Sequence, residues 1–372
     1  MRARIVAMLV VASGCADAPG SGRGTTTGTG AEGTSSGDGG PSTTTAAADT
    51  SAGSALDDTA AEATSSATPP PDMGAPGFAP VRVIVVSDLN DSYGSTTYST
   101  AVHDAVAAIV ARAPDLVLST GDMVAGQQAG LDYPAMWAGF HAAVSDDLAA
   151  AGLPFAVSPG NHDASGYPAF ATERDLFVAE WSARKPALEY VDDADYPLRY
   201  SFTAGAALFV ALDSTTVGPL DADQMQWLDD QLGQSDAATK IVFGHVPLVP
   251  FAVGREDEII GDVELEAMLE QHGVTLFVSG HHHVYYPGRR GTIRHVSMAC
   301  LGSGPRAWIG TDTTSARALL EFEIDELGEI TVLDAWTGPA FATAIARTDL
   351  PASLTYGPWT VTRDDLAELG RQ

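Results

Sequence analysis

Only two cysteines, Cys15 and Cys300, occur in 372 residues. That excludes a disulfide framework and a cysteine-based zinc site inside a folded domain; Cys300, in an apolar-alternating stretch, reads as a buried free thiol. Basic residues are scarce too, with 19 Lys and Arg against 48 Asp and Glu and a net charge of −29. Residues 1–15 carry +2 and residues 16–78 carry −7, so −24 belongs to the remainder. A field of that sign repels nucleic-acid backbones, and no nucleic-acid partner is expected. Two signatures of other chemistries are also missing. Gly302-Ser303-Gly304-Pro305 lacks the Lys-Ser/Thr of a phosphate-binding P-loop, and no Ser-centred nucleophile elbow occurs.

What is present divides the chain into stretches of different character. Residues 1–4 are basic, residues 5–12 apolar, and small residues precede Cys15, which is the grammar of an export signal. Residues 1–15 resemble a bacterial lipoprotein signal peptide, although Ala12 stands where leucine is usual. That resemblance implies lipidation of Cys15 and anchoring of an exported protein, at the outer membrane facing the periplasm or the cell surface. Residues 16–78 are Thr, Ser, Gly, Ala and Asp with a Pro69-Pro70-Pro71 stop, too poor in large apolar side chains to offset chain entropy. They read as a flexible tether. A folded domain is expected over residues 79–340, with residues 341–372 packed on it or trailing from it.

Within that domain, residues 81–87 (VRVIVVS) form a continuous β-branched run, as in a strand buried on both faces. Similar runs recur at residues 115–120, 154–158, 206–212, 240–244 and 274–279. Helical spacing intervenes. Val102, Val106, Ile109 and Val110 share one face, and later helices are predicted over residues 168–183, 221–231 and 262–271. Residues 292–298, 317–324 and 329–336 then read as strands. The pattern predicts an α/β fold of two stacked mixed β-sheets flanked by helices.

The strand runs end in polar clusters: Asp88-Leu89-Asn90, Gly121-Asp122, Gly160-Asn161-His162-Asp163, Gly244-His245 and Gly280-His281-His282-His283. Loops leaving the carboxyl ends of strands form the sites of open α/β sheets, so these clusters are expected to converge. Carboxylate and amide oxygens mixed with imidazoles suit Fe, Mn or Zn, and two ions held close together need a shared carboxylate. His103, His141, His272 and His295 lack ligand spacing and read as structural or exposed; His282, between two candidate ligands, is expected to point away from them.

On these clusters, residues 80–336 resemble the calcineurin-like metallophosphoesterases, the superfamily that includes purple acid phosphatases. The resemblance implies an αββα sandwich holding two divalent or mixed-valence ions. It places Asp88 and His283 on one metal, Asp122 as the bridge, and Asn161, His245 and His281 on the other. His162 would face the substrate unligated, with Asp163 orienting its ring. The implied activity is hydrolysis of a phosphate mono- or diester, on a small-molecule or exposed substrate, by a bridging hydroxide in a monomeric enzyme. One departure concerns Asn90, where many members carry histidine. Purple acid phosphatases recruit a tyrosine from the second motif instead, but Met123, Val124 and Ala125 follow Asp122 here. Asn90 then offers a neutral oxygen to the first metal, with Tyr93 in the same loop as an alternative ligand. The rival reading is a non-catalytic surface lipoprotein with a degenerate site, supported by Asn90 alone.

Overall fold

The computed structural model describes residues 77–302 and 304–369. The proposed signal and Cys15 lie outside the described residues, as does the tether up to residue 76. In chain order the first strands are β1 (Val81–Val86), β2 (Leu116–Ser119), β3 (Phe155–Val157), β4 (Glu189–Asp192), β5 (Tyr200–Ala204), β6 (Ala207–Ala211) and β7 (Thr239–Gly244). There follow β8 (Val274–Ser279), β9 (Tyr286–Arg290), β10 (Ile293–Ser297), β11 (Leu319–Ile324), β12 (Ile330–Thr337), β13 (Thr343–Ala344), β14 (Ser353–Tyr356) and β15 (Trp359–Arg363). They form a six-stranded sheet in the order β13-β12-β11-β1-β2-β3 and a nine-stranded sheet in the order β14-β15-β9-β10-β8-β7-β6-β5-β4. Strands β1, β2 and β3 run parallel in the first sheet, as do β6, β7, β8 and β10 in the second. The mixed two-sheet architecture is the one the sequence predicts.

From Val83 to Val86 the β1 run is continuously apolar because both of its faces are buried. Val81, Val83 and Val85 belong to the core shared with the second sheet, while Ile84 and Val86 face a second core under the helices. A strand with one face in water would alternate instead. The helices are α1 (Thr100–Arg112), α2 (Tyr133–Phe140), α3 (Asp146–Ala150), α4 (Asn161–Ala164), α5 (Ala171–Ala183), α6 (Ala222–Gly233), α7 (Val263–Gln271) and α8 (Asp364–Leu369). Asp221 and Asp262, predicted as the first helical residues, are N-caps whose carboxylates accept from the Gln224 and Glu264 amides at 2.8 and 2.9 Å. Val110 corrects the predicted stripe of α1: it is 37% exposed, and Ala105 and Ala108 are buried beside Val102, Val106 and Ile109.

Two regions go beyond the sequence reading. Helices α2 and α3 flank a π-helical turn at His141–Ser145, and Trp137, Phe140, Phe177 and Trp181 meet there at the tilted and edge-on angles that aromatic rings prefer. The segment after residue 340 contributes to both sheets. Thr343 and Ala344 pair with β12, and β15 pairs with β9 while carrying Trp359 and Val361 into the core beside Leu354. Full burial of each such side chain contributes about 1.5–3 kcal/mol. Truncation after Ala340 should therefore lower the thermal midpoint by many degrees or abolish soluble expression. A truncated chain melting within a few degrees of the full one would show the hairpin to be dispensable.

Candidate metal centre

The carboxyl ends of the parallel strands in the two sheets face one another across a seam. From the first sheet, β1 leads to Asp88 and Asn90, β2 to Asp122, and β3 to Asn161, His162 and Asp163; from the second, β7 leads to His245 and β8 to His281 and His283. Hydrogen bonds stitch the seam. His245 Nδ1 lies 2.9 Å from the Thr120 carbonyl, and the His281 amide donates to Asp88 Oδ2 at 3.2 Å. Asp88, Asp122, His281 and His283 all adopt left-handed backbone, with φ between 50° and 63°. Such conformations cost about 1–3 kcal/mol each in non-glycine residues and persist only where surrounding structure over-determines them. Neighbouring glycines make room: a Cβ at Gly160 would lie 2.3 Å from Asp122 Oδ1, and one at Gly280 would lie 2.8 Å from Asp88 Oδ2.

The ring tautomers follow from their partners, because a carbonyl can only accept. Nδ1 of His245 donates to Thr120, so the lone pair of the neutral ring sits on Nε2, which faces Asn161 Oδ1 at 2.9 Å and Asp122 Oδ1 at 3.4 Å. The Asn161 amide is fixed in that sense by its Nδ2, which donates to Gln127 Oε1 at 3.0 Å. His283 repeats the arrangement. Nδ1 donates to the Gly304 carbonyl at 2.9 Å, and Nε2 stands 3.0 Å from Asp88 Oδ1, a buried oxygen with no formed hydrogen bond. Lone pair thus faces lone pair at two points, which is stable only with a proton or a metal cation between them. Oxygens of Asp88 and Asp122 and a nitrogen of His245 lie within 4.8 Å of one another, so the donor set fits a bound ion.

His162 sits at the edge of this cluster, 8% exposed, with Nδ1 at 3.1 Å from the Gly126 carbonyl and Nε2 at 3.9 Å from Asp122 Oδ2. The expected role of Asp163 requires correction. Its Oδ1 accepts from the Met123 and Val124 amides at 2.7 and 2.8 Å and its Oδ2 from Gly160 at 3.1 Å, so it ties two ligand loops together while a backbone carbonyl orients the His162 ring. Tyr93 lies with its ring 5.4 Å from that of His162. Asn90 Nδ2 donates to the Val124 carbonyl at 3.3 Å, which leaves the oxygen end of the amide for an ion. His282 turns away, Nδ1 accepting from the Phe251 amide and Nε2 donating to the Glu258 carbonyl. Gln127, behind Asn161, and Glu258, whose Oε2 lies 2.8 Å from His281 Nε2, carry no motif and are visible only in the fold.

Electrostatics reinforce the geometry. Burial works against a charged ring, but Asp122 beside His245 raises its pKa to about 9, and Asp88 beside His283 raises that one to about 10. Burial likewise opposes ionisation of Asp88 and Asp122, yet His283 and His245 hold the Asp88 carboxyl, and His245 and His162 the Asp122 carboxyl, below the ordinary range. Burial and the adjacent His245 keep His281 neutral. In the metal-stripped protein at pH 7 both raised rings are therefore protonated, and an ion must displace those protons. Binding of Mn(II) at pH 7 should release about two protons, with affinity rising as the pH approaches about 10. Calorimetry in buffers of different ionisation heat measures the release; none at pH 7 would contradict the arrangement.

The sequence model of the calcineurin-like phosphoesterase family matches residues 81–285, more than half of the chain and the whole stretch that supplies these clusters. Among solved structures, the purple acid phosphatase PPD1 of yellow lupin (Lupinus luteus) seeds superposes with a TM-score of 0.54 at 18% identity, covering 71% of this chain and 52% of that one. PhoD superposes with a TM-score of 0.51 at 13% identity, covering 73% and 69% respectively. At such identities these likenesses concern the fold, and the chain spans only about half the length of the lupin protein. No curated protein matches in sequence. With the family match covering every strand that leads to a candidate site residue, this chain belongs to the calcineurin-like phosphoesterases.

Proposed function

We propose that the protein hydrolyses phosphate esters with two metal ions held in the inter-sheet seam. The observation that carries this reading is the meeting of buried lone pairs, His283 Nε2 with Asp88 Oδ1 and His245 Nε2 with Asn161 Oδ1 and Asp122 Oδ1. Asp88, Asn90 and His283 would hold one ion and Asn161, His245 and His281 the other, with Asp122 shared. When bound, the ions would neutralise the phosphoryl oxygens and make water a nucleophile at neutral pH.

The chain's own residues do the rest. Nδ1–H of His162 donates a hydrogen bond to the Gly126 carbonyl, which leaves Nε2 as the end turned toward the cluster. Once Nε2 is protonated too, the ring is poised to pass that proton to the departing alkoxide, a contribution of about 10²–10⁴-fold. The Tyr93 ring lies beside it, 5.4 Å away and tilted. Fe, Mn or Zn would suit the donors, and loop residues would set the preference between mono- and diesters.

His162→Ala should slow hydrolysis of an alkyl phosphate by about 10²–10⁴-fold and that of p-nitrophenyl phosphate much less, because the aryl leaving group needs no proton. Metal content should be unchanged. Equal rates for wild type and variant on both esters would remove His162 from the reaction.

Export and anchoring through Cys15 belong to the same proposal, and the sequence alone supports them. The mature protein should partition into detergent, and Cys15→Ser should move it to the aqueous phase. An unmodified cysteine in membrane-free mature protein, seen by mass spectrometry, would leave a protein without a lipid anchor.

A further inference from the structure

Three candidate histidines bind their protons differently. His245 and His283 donate Nδ1–H to neutral backbone carbonyls, those of Thr120 and Gly304, and turn Nε2 toward the cluster. His281 is reversed. Its Nε2 lies 2.8 Å from Glu258 Oε2, so the proton sits on Nε2 and the lone pair on Nδ1. Among the three, only His281 has a carboxylate behind it, at 12% side-chain exposure.

Glu258 is itself held in place. Arg255 Nη1 pairs with its other oxygen, Oε1. The Glu258 carbonyl accepts from His282 Nε2 at 3.0 Å, and His282 Nδ1 accepts from the Phe251 amide at 3.1 Å. His282, buried and uninvolved in the cluster, thereby fastens the 251–258 loop to the turn that carries His281 and His283. The Val253 amide adds a bond to the Ala307 carbonyl at 2.9 Å, tying the far side of the loop down. A carboxylate fixed at this point does two things. It selects the Nε2–H tautomer of His281, and its charge draws electron density toward Nδ1, which makes that nitrogen a stronger donor to a cation.

We infer that Glu258, braced by Arg255, is a positioning residue that sets the tautomer and basicity of His281 and so tunes one ion of the pair, the one shared with Asn161 and His245. This rests on the two-ion reading of the seam. The ion on Asp88, Asn90 and His283 has no such partner, since Gly304 offers His283 only a neutral carbonyl. Glu258 therefore makes the two ions unequal in affinity from outside the ligand set.

The test follows Mn(II) binding to the metal-stripped full chain by calorimetry, for wild type, Glu258→Ala, Glu258→Gln and Arg255→Met. Wild type should bind two ions. Glu258→Ala should weaken one of the two steps by about 10–100-fold and leave the other unchanged. Glu258→Gln, which keeps an oxygen to accept the Nε2 proton but loses the charge, should recover part of that loss, and Arg255→Met should show a smaller loss in the same step. A merely structural role would weaken both steps together or lower the thermal midpoint without favouring either. Two steps of wild-type strength in Glu258→Ala, or equal weakening of both, would overturn the inference while leaving the two-ion reading intact. Failure of wild type to bind a second ion would overturn that reading and this inference with it.

Discussion

Two carboxylates, Asp88 and Asp122, are buried within a few ångströms of each other at the ends of neighbouring parallel strands, and the rest of the structure answers to that fact. Removing an unpaired carboxylate from water costs several kcal/mol, and a second one beside it adds repulsion. From the first sheet only His162, after β3, comes near among the described residues, with Nε2 at 3.9 Å from Asp122 Oδ2. Most of the charge is met by imidazoles that arrive from β7 and β8 of the second sheet, so the electrostatics of the centre help join the two layers.

The strain of the ligand loops follows from the same constraint. Four candidate ligands, Asp88, Asp122, His281 and His283, take left-handed backbone where the strands end, a turn that regular strand exits do not make. Asp163 is the fastening. By accepting three backbone amides from two loops it converts a catalytic motif residue into a strut, and burial together with Asp122 pushes its carboxyl up to about 7 even so.

The core strands were legible in the sequence for a simple reason. Runs such as residues 81–87 and 274–279 are buried on both faces, so their composition is mostly apolar and needs no knowledge of partners. The edge strands β4 and β14 gave no such signal. In β4 the burial alternates between exposed and partial, and β14 buries only Leu354, so neither differs from loop sequence until a neighbouring strand supplies its hydrogen bonds. Helix α2 does carry a helical stripe in Tyr133, Met136, Trp137 and Phe140, but over only eight residues, and its Asp132 cap and nearby Pro134 read equally well as a turn.

The sequence by itself determined which residues cluster at the strand ends, because acid, amide and imidazole donors recur after apolar runs with glycine beside them. It also placed His282 between two ligand candidates and expected it to face away; it does, although His281 and His283 take left-handed rather than extended backbone. Only the tertiary structure decided which nitrogen of each histidine is presented, that Gly126 rather than Asp163 orients His162, and that Gln127 and Glu258 stand behind Asn161 and His281. Those choices depend on single hydrogen bonds between residues tens of positions apart. Local composition and spacing carry no record of them, because a carbonyl or carboxylate becomes a partner only when the fold brings it within about 3 Å.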